Sequence, residues 1–436
     1  MSLETPGPGQ TDPAEVAVNA PPRRSLWRHR DYMKLWTAQT VTQFGDEITQ
    51  FALPLAAIIT LEATPFQLGL LGTFQFLPFI LLTIPAGVWV DRMRRKPILI
   101  GADLGRAVLL TSIPVAFIGG WLSIWQLYLV GFAVGCLEVF FDVAYQSYLP
   151  SVVERDQLVE GNAKLELSTS ASTFGGPALA GFLVEVFRAP LAIFFDALSY
   201  LGSVLFLVLI RRPERVPEQH PGAETPSMFR EAAEGLRYVL GNRYLRAIAP
   251  CTGLFNLFGN IGFVVLLIYL VEELGLTPAT IGIIFALGNL GVFAGALSAD
   301  RIPRRIGVGP TIVASAFLAA FPLALVALAP REAPAPFLVA ALALGAFSNV
   351  VYNVNQVSLR QAITPERMQG RMNATMRFIV WGTIPIGTLA GGILGGLIGL
   401  QATIWVAAAG SFLAFLPVLL SPVRTLERIP EPEAAT

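Results

Sequence analysis

Long apolar stretches, separated by short polar connections, run along most of the chain. Each is close to the roughly 20 residues that an α-helix needs to cross a bilayer. In the first half they fall at residues 35–61, 67–89, 97–119, 124–148, 161–187 and 190–210. In the second half they fall at residues 246–271, 278–299, 308–329, 336–359, 371–398 and 401–421. The pattern predicts an all-α integral membrane protein with twelve transmembrane helices.

One connection is much longer than the others. Between Arg211 and Leu245 the chain carries several prolines, among them Pro213, Pro217 and Pro221, and then a segment, residues 228–240, with apolar and charged residues at helical spacing. We expect an amphipathic helix there, lying at the membrane surface. The predicted order is a cytoplasmic tail, a six-helix half, a linker, a second six-helix half and a second tail, at residues 1–34, 35–211, 212–245, 246–422 and 423–436.

Short motifs of the first half return in the second half about 210 positions later. Phe44-Gly45-Asp46 returns as Phe258-Gly259-Asn260, and Asp91-Arg92-x-x-Arg95-Lys96 returns as Asp300-Arg301-x-x-Arg304-Arg305. Many secondary transporters consist of two such repeats, with the substrate bound between them. We therefore expect two six-helix pseudo-repeats.

The composition supports a membrane protein and argues against several other classes. Hydrophobic residues make up 54% of the chain and charged residues only 14%, against about 25% charged in soluble domains. The net charge is zero, so no basic surface suggests nucleic acid as a partner. Cys136 and Cys251 lie in apolar segments, and we expect neither a disulfide nor a metal site. We also expect no cleavable signal peptide, no cofactor and no enzymatic activity.

Lysines and arginines are distributed unevenly among the connections, which predicts the orientation. With both termini in the cytoplasm, the outer loops hold only Arg188 and Arg331. The inner segments then hold the basic clusters, among them residues 92–96 and 301–305, and also Arg360. We expect a multi-pass protein of the cytoplasmic (inner) cell membrane with both termini inside the cell.

The connection after the second predicted helix carries a glycine, three residues, then Asp-Arg and a basic cluster, at residues 87–96. This motif resembles the loop signature of the major facilitator superfamily, although Arg94 stands where the family commonly has glycine. A degenerate copy at residues 296–305 begins with alanine in place of the glycine. The resemblance covers residues 30–422 and implies a loop that controls the conformational switch; simple retention of a basic loop is the alternative. The implied switch residues are Gly87, Asp91, Arg92, Arg95, Lys96, Asp300 and Arg301.

The predicted fifth helix contains Gly176, Pro177 and Gly181. These residues resemble the Gly-Pro motif of the antiporter branch of the superfamily, with Ala180 in place of a glycine. The fourth helix lacks the arginine that many drug antiporters carry there. The remaining pattern resembles a narrower bacterial group that includes macrolide-efflux proteins and the enterobactin exporter. Close helix packing through small residues is an equally compatible explanation of the glycines.

Charged residues inside membrane helices are costly and usually face a cavity or a partner. Asp46, Glu138 and Asp142 have no obvious local partner, and we expect them to couple transport to protons; Asp46 could instead bind a cationic substrate. Glu138 and Asp142 are four residues apart on one helix face, where two carboxylates would share a proton, with simple packing as the alternative. Asp103 and Arg106, near the predicted cytoplasmic helix end, are expected to form a structural pair.

The helices of the second half carry amides rather than acids. Together with glutamines of the first half, these amides could line a cavity for an amphiphilic organic molecule. Hydrogen bonding between helices is the alternative for any one of them. The candidates are Gln43, Gln75, Asn256, Asn260, Asn349 and Asn353.

The leading hypothesis is a proton-coupled exporter of small amphiphilic organic molecules, of drug, antibiotic or siderophore type, that works by alternating access. Uptake of a nutrient or lipid-related molecule on the same fold is the alternative. A membrane receptor or enzyme is a third hypothesis with little support. The expected partners are the small-molecule substrate, protons and the lipid bilayer, and the expected state is a monomer.

Overall fold

The computed structural model describes residues 25–90, 92–154, 157–211, 214 and 228–428. Every regular element in these residues is a helix. The first group consists of α1 (Arg30–Leu55), α2 (Pro65–Val90), α3 (Arg95–Ile118), α4 (Ile124–Val152), α5 (Leu158–Phe187) and α6 (Ala189–Val208). A short 3₁₀ turn at Leu26–Arg28 precedes α1, and a π-helical segment at Ala56–Thr60 extends it.

The second group follows a separate helix, α7 (Met228–Gly241), which occupies the segment predicted to be amphipathic. Two later helices have additional short segments: Tyr269–Glu273 is π-helical after α8, and Pro422–Thr425 is a 3₁₀ turn after α17. The group consists of α8 (Leu245–Ile268), α9 (Pro278–Gly288), α10 (Leu290–Ser298), α11 (Arg301–Ile306), α12 (Val308–Leu318), α13 (Phe321–Ala327), α14 (Ala335–Ile363), α15 (Glu366–Ile398), α16 (Leu400–Ala414) and α17 (Leu416–Leu419).

Ten helical stretches in the described residues are long and apolar enough to cross a membrane. Helices α1 and α5 are not among these ten, although they contain 26 and 30 residues. They are more polar because α1 includes Asp46 and Glu47, and α5 includes Lys164 and Glu166. The ten stretches establish a multi-pass membrane protein.

Three helices predicted as continuous in the second half are broken. The stretch 278–299 breaks at Asn289, between α9 and α10, and the stretch 401–421 breaks at Phe415. The stretch 308–329 breaks at residues 319–320, between α12 and α13. Proline explains two breaks: Pro322 and Pro417 lie in the first turns of α13 and α17, where a ring that removes an N–H ends the preceding helix.

The long helices pack as two bundles. Helices α1–α6 contact one another and form what we call the N-terminal bundle, while α8–α17 contact one another and form the C-terminal bundle. The main contacts between the bundles join α2 to α15 and α5 to α9. The space that remains between the bundles is the candidate site.

The bundles have two different ends. One, which we call the arginine-rich end, carries the loop at residues 92–94 and the short helix α11; the other, the opposite end, carries the loops at 62–64 and 274–277. Helix α7 packs at the arginine-rich end, where Arg371 Nη1 lies 2.8 Å from Glu234 Oε1. The Tyr238 hydroxyl donates to the Ile363 carbonyl at 3.3 Å.

Candidate functional site

Two adjacent cavities lie between the bundles. The inner pocket, of about 220 Å³, is lined mainly by the N-terminal bundle and includes Asp46, Gln75, Glu138 and Asp196. The polar cavity, of about 800 Å³, is lined by the C-terminal bundle. Asn260 lines both, so the two spaces lie next to each other at this residue.

A buried chain of polar contacts joins three helices of the N-terminal bundle. Arg106 Nη2 lies 2.5 Å from Asp103 Oδ1, and Ser203 donates to the other oxygen of Asp103 at 2.6 Å. Arg106 Nη1 also lies 3.4 Å from the hydroxyl of Tyr200, which in turn donates a hydrogen bond to Asp46. We call these five residues the arginine network. It places a cation between two carboxylates at the depth of the membrane helices.

Aromatic rings hold the Arg106 guanidinium in place. Its central carbon lies 4.4 Å from the ring centroid of Phe141 and 4.3 Å from that of Tyr200. The prediction that Arg106 lies near a helix end is wrong, since it occupies the middle of α3 and is 2% exposed. A buried arginine needs both charge pairing and hydrogen bonds, and this network supplies them. The only sequence signal for it is its spacing from Asp103.

Asp196 is a site residue for which the sequence predicts no role. It is fully buried, lines the inner pocket, and accepts hydrogen bonds from Thr49 and, at 2.9 Å, from Ser199. Gly45 on α1 makes room for it, because a β-carbon at Gly45 would lie 2.2 Å from Asp196 Oδ1. This close approach explains why α1 has a glycine at position 45, directly before Asp46.

The structure places Glu138 and Asp142 in different surroundings. Glu138 lines the inner pocket with Asp46 and Asp196. Asp142 lies one helical turn closer to the arginine-rich end, has an exposed side chain, and is within electrostatic reach of Arg377 on α15. A proton shared between Glu138 and Asp142 stays a prediction.

Most of the predicted cavity amides line the cavities. Gln75 faces the inner pocket, Asn260 both cavities, and Asn256, Asn349 and Asn353 the polar cavity. Gln43 instead donates a 2.9 Å hydrogen bond to Thr169, so it joins α1 to α5. The amides of Asn256 and Asn260 donate to carbonyls of their own helix, at 2.9 and 2.7 Å.

The bundles touch tightly at the opposite end through pairs of glycines. A β-carbon at Gly69 would lie 2.5 Å from the carbonyl oxygen of Thr388 and 2.8 Å from Gly392 Cα. A β-carbon at Gly181 would lie 2.4 Å from the carbonyl oxygen of Pro278 and 3.0 Å from Gly282 Cα. Small residues allow helix backbones to approach this closely in membranes. The opposite end is therefore closed.

The predicted motif of the fifth helix lies at this closure. A β-carbon at Gly282 would lie 2.3 Å from the carbonyl oxygen of Pro177. Gly176 faces α1 instead, where a β-carbon would lie 2.6 Å from Glu47 Cβ. Nearby, Asn289 donates to the Thr173 carbonyl at 2.5 Å. The motif thus joins α5 to both a neighbour in its own bundle and the facing bundle.

The predicted switch loop lies at the arginine-rich end. Asp91 lies outside the described residues, and the Arg92 side chain is exposed. The backbone N–H groups of Arg95 and Lys96 donate to Glu214 at 2.6 and 3.1 Å, so Glu214 caps the start of α3. A β-carbon at Gly87 would meet no atom within 4 Å.

The charged residues in the second copy of the loop make local contacts, while Asn355 on α14 donates to the Ala299 carbonyl at 3.0 Å. Arg304 lies 3.0 Å from Asp300, and both side chains are largely exposed. Arg301 donates to the Leu297 carbonyl at 2.7 Å. An exposed ion pair of this kind contributes little to stability.

Comparison with known proteins gives one family match over nearly the whole chain. A family described as "Transmembrane secretion effector" matches residues 23–434. Macrolide efflux protein A of Streptococcus pyogenes is 23% identical over 422 residues, which cover 92% of this chain and 98% of that protein. The enterobactin exporter EntS of Escherichia coli is 24% identical over 405 residues, covering 91% and 92%.

Solved structures share the fold at low identity. A bacterial homologue of the iron transporter ferroportin in its inward-facing state superposes with a TM-score of 0.72 at 18% identity, covering 91% of this chain and 99% of that one. The same homologue in its outward-facing state gives a TM-score of 0.54 at 19% identity, covering 90% and 99%. Among the described residues, no three His, Cys, Asp or Glu side chains form a group that could hold a metal ion.

Proposed function

Because the chain belongs to the transmembrane secretion effector family of major facilitator transporters, we propose that it is a proton-coupled exporter of small amphiphilic organic molecules. That it is a membrane transporter and not an enzyme follows from the family. The direction, the coupling ion and the substrate class are our proposal. Export is supported by the relatives, which include a macrolide efflux protein and an enterobactin exporter.

The proposed architecture has twelve membrane-spanning helices in two six-helix repeats. Ten stretches have the required length and composition, and α1 and α5 supply the other two. Both pack among the remaining helices of the N-terminal bundle, where Asp46 lines the inner pocket and Lys164 is buried. The linker, with α7, joins the two repeats.

The uneven distribution of arginines supports the proposed orientation in the inner membrane. We place the arginine-rich end and both termini in the cytoplasm, and we propose that a single chain is the transport unit. The opposite end, closed by the glycine pairs, then faces outward, so the structure corresponds to an inward-facing state. The higher TM-score with the inward-facing ferroportin homologue agrees with this assignment.

The observation that carries the proposal of proton coupling is the set of acids around the inner pocket. Asp46, Glu138 and Asp196 line one small space next to a buried arginine. A carboxylate at membrane depth is costly unless it is paired with a cation or protonated. Whether it holds a proton therefore depends on the other charges in the pocket. Asp46 and Glu138 are proposed to bind and release the coupling proton as the bundles rock between the two states.

Inverted membrane vesicles provide the test of this function. The transported probe is a xanthene dye, either the anion fluorescein or the cation rhodamine 123. We expect vesicles that contain the chain to accumulate dye when the lumen is acidified, and to lose it when an ionophore collapses the proton gradient. Accumulation that is independent of the gradient would contradict proton coupling. Gradient-driven depletion of dye from the lumen would show that the chain works as an uptake system.

A further inference from the structure

The two walls of the central space differ in charge. The inner pocket carries the acids of the N-terminal bundle, whereas none of the residues that line the polar cavity is acidic. The polar cavity instead has two arginines, Arg360 on α14 and Arg377 on α15, among amides and one tyrosine. A partly enclosed cavity with unbalanced positive charge calls for a negative partner.

Arg360 is the more informative of the two. The residue is only 8% exposed, and its Nε atom is buried without a hydrogen-bond partner. Its guanidinium makes no ion pair with any described residue. Burying a cation without an anion costs several kcal/mol per ion, so a fold keeps such a group only for a purpose. Arg360 lies in the last turn of α14, at the arginine-rich end, and its side chain lines the polar cavity.

The neighbouring side chains extend this site with further polar groups. Gln356 donates to Asn353 Oδ1 at 2.8 Å, which leaves the Asn353 amide group free to donate into the cavity. The exposed Arg377 lies over the ring of Trp381, with its central guanidinium carbon 5.3 Å from the centroid. Asp142 can pair with Arg377, but no acid is placed to pair with Arg360.

Three acids of the facing bundle already have partners. Asp103 is paired with Arg106, and Asp46 accepts a hydrogen bond from Tyr200. Asp196 is bonded to Thr49 and Ser199. Glu138 is a fourth acid, and it lies in the inner pocket on the N-terminal wall. The charge on the C-terminal wall, from Arg360 and Arg377, is positive and has no acid among the residues that line the same cavity. A ligand that neutralises it must bring a negative charge.

We propose that the polar cavity is an anion-binding subsite and that the substrates are amphiphilic organic anions. The carboxylate, phosphate or phenolate of the substrate binds Arg360, with Arg377 and Asn353 as additional donors. Its apolar body extends past Asn260 into the inner pocket, which Phe76, Phe79 and Phe263 line. This subsite rests on the proposed transport function and names the charge class of its substrate. A guanidinium suits such groups because it donates two parallel hydrogen bonds.

Binding of two xanthene dyes to the purified full-length chain tests the subsite. Fluorescein and rhodamine 123 share a ring system but carry opposite charge, and fluorescence anisotropy in detergent measures the affinity of each. We expect the wild-type chain to bind fluorescein more tightly than rhodamine 123. Arg360→Gln should weaken fluorescein binding about tenfold or more, the usual cost of losing a hydrogen bond to a charged group, and leave rhodamine 123 binding unchanged. Arg360→Lys should restore part of the loss.

The matched control is Arg246→Gln, which removes an exposed arginine outside the cavity and should change neither affinity. Tighter binding of rhodamine 123 by the wild-type chain would overturn the proposal. So would an equal loss of both dyes in Arg360→Gln, because that result indicates a general change of shape. Vesicle transport separates this test from the proposed function: gradient-driven transport of rhodamine 123 without fluorescein binding would retain the exporter and reject the subsite. Arg360-dependent fluorescein binding without gradient-driven transport would retain the subsite and reject the exporter.

Discussion

The hydroxyl of Tyr200 on α6 donates a hydrogen bond to Oδ1 of Asp46 on α1. The same hydroxyl lies 3.4 Å from Arg106 Nη1, so Tyr200 stands between the acid and the cation. Asp46 is thereby linked to Arg106 without a direct ion pair. This hydrogen bond holds Asp46 in position while its side chain still lines the inner pocket, where a proton or a substrate can reach it.

We expect Asp46→Asn to abolish proton-driven accumulation of dye in inverted vesicles while downhill exchange continues. The corresponding residue of the second half is Asn260, which shows that an amide is compatible with the local fold. The substitution removes one titratable charge, and without such a group the proton gradient cannot drive uphill transport; one charge moved across the membrane is worth about 2.3 kcal/mol per 100 mV. The measurement is dye accumulation with and without the gradient.

Tyr200→Phe is the matched control for Asp46→Asn. It removes the hydrogen bond to Asp46 but keeps the carboxylate, so accumulation should continue with a changed pH optimum. If Asp46→Asn accumulates dye as the wild-type chain does, Asp46 is not the coupling residue.

Arg106→Gln should destabilise the protein by about 3–5 kcal/mol, because it leaves Asp103 buried without its cation. The double variant Asp103→Asn with Arg106→Gln should recover most of that loss, since a neutral pair carries no uncompensated charge. Thermal unfolding in detergent measures both. A double variant as unstable as the single one would mean that Arg106 stabilises the fold through Phe141 and Tyr200 and not through Asp103.

The helices of this fold are largely predictable from the sequence, because the bilayer imposes a length and an apolar composition on each one. The predicted stretches 97–119 and 190–210 match α3 and α6 within a few residues. The break at Asn289 could not be predicted, since no proline marks it and the surrounding residues are apolar or small. The contact of α5 with α9 also requires the folded structure, although Gly181 on α5 is visible in the sequence.

The site is less predictable because it depends on how the helices are rotated against one another. Asp46 and Glu138 are recognisable as charges in apolar stretches, and both line the inner pocket. The sequence shows Arg106 only beside Asp103, whereas its contact with Tyr200 spans 94 positions. Arg360 resembles an ordinary cytoplasmic arginine until the structure places it inside a cavity.

Gly181→Ala should hold the opposite end open. Its β-carbon would lie 2.4 Å from the carbonyl oxygen of Pro278, and a backbone atom cannot move aside as a flexible side chain can. Overpacking of this kind costs about 1–3 kcal/mol, enough to shift the balance of the two states by tenfold or more. We expect transport to slow at least tenfold. Spin labels at Trp121 and Arg331, in a chain with both cysteines replaced by serine, should report a longer distance.

Gly202→Ala is the matched control for Gly181→Ala, because a β-carbon at Gly202 would meet only a methyl group of Val41, at 3.9 Å. It should leave both the transport rate and the distance between the labels unchanged. Equal effects of the two variants would show that the contact of Gly181 does not control closure.

Glu138→Gln and Asp142→Asn should each change the pH dependence of transport, with the larger effect for Glu138. Glu138 lines the inner pocket beside Asp46 and Asp196, where its charge interacts with Asp46, Arg106 and Asp142. Asp142 is exposed and lies within electrostatic reach of Arg377, so water and an opposite charge already stabilise it. The measurement is the initial rate of dye uptake into inverted vesicles across a pH series at a fixed proton gradient. We expect Glu138→Gln to flatten the profile and Asp142→Asn to move its optimum.

The charge exchange Asp142→Arg with Arg377→Asp should restore the optimum if the interaction between these two residues sets it. Two single variants with the wild-type pH optimum would show that both acids only pack.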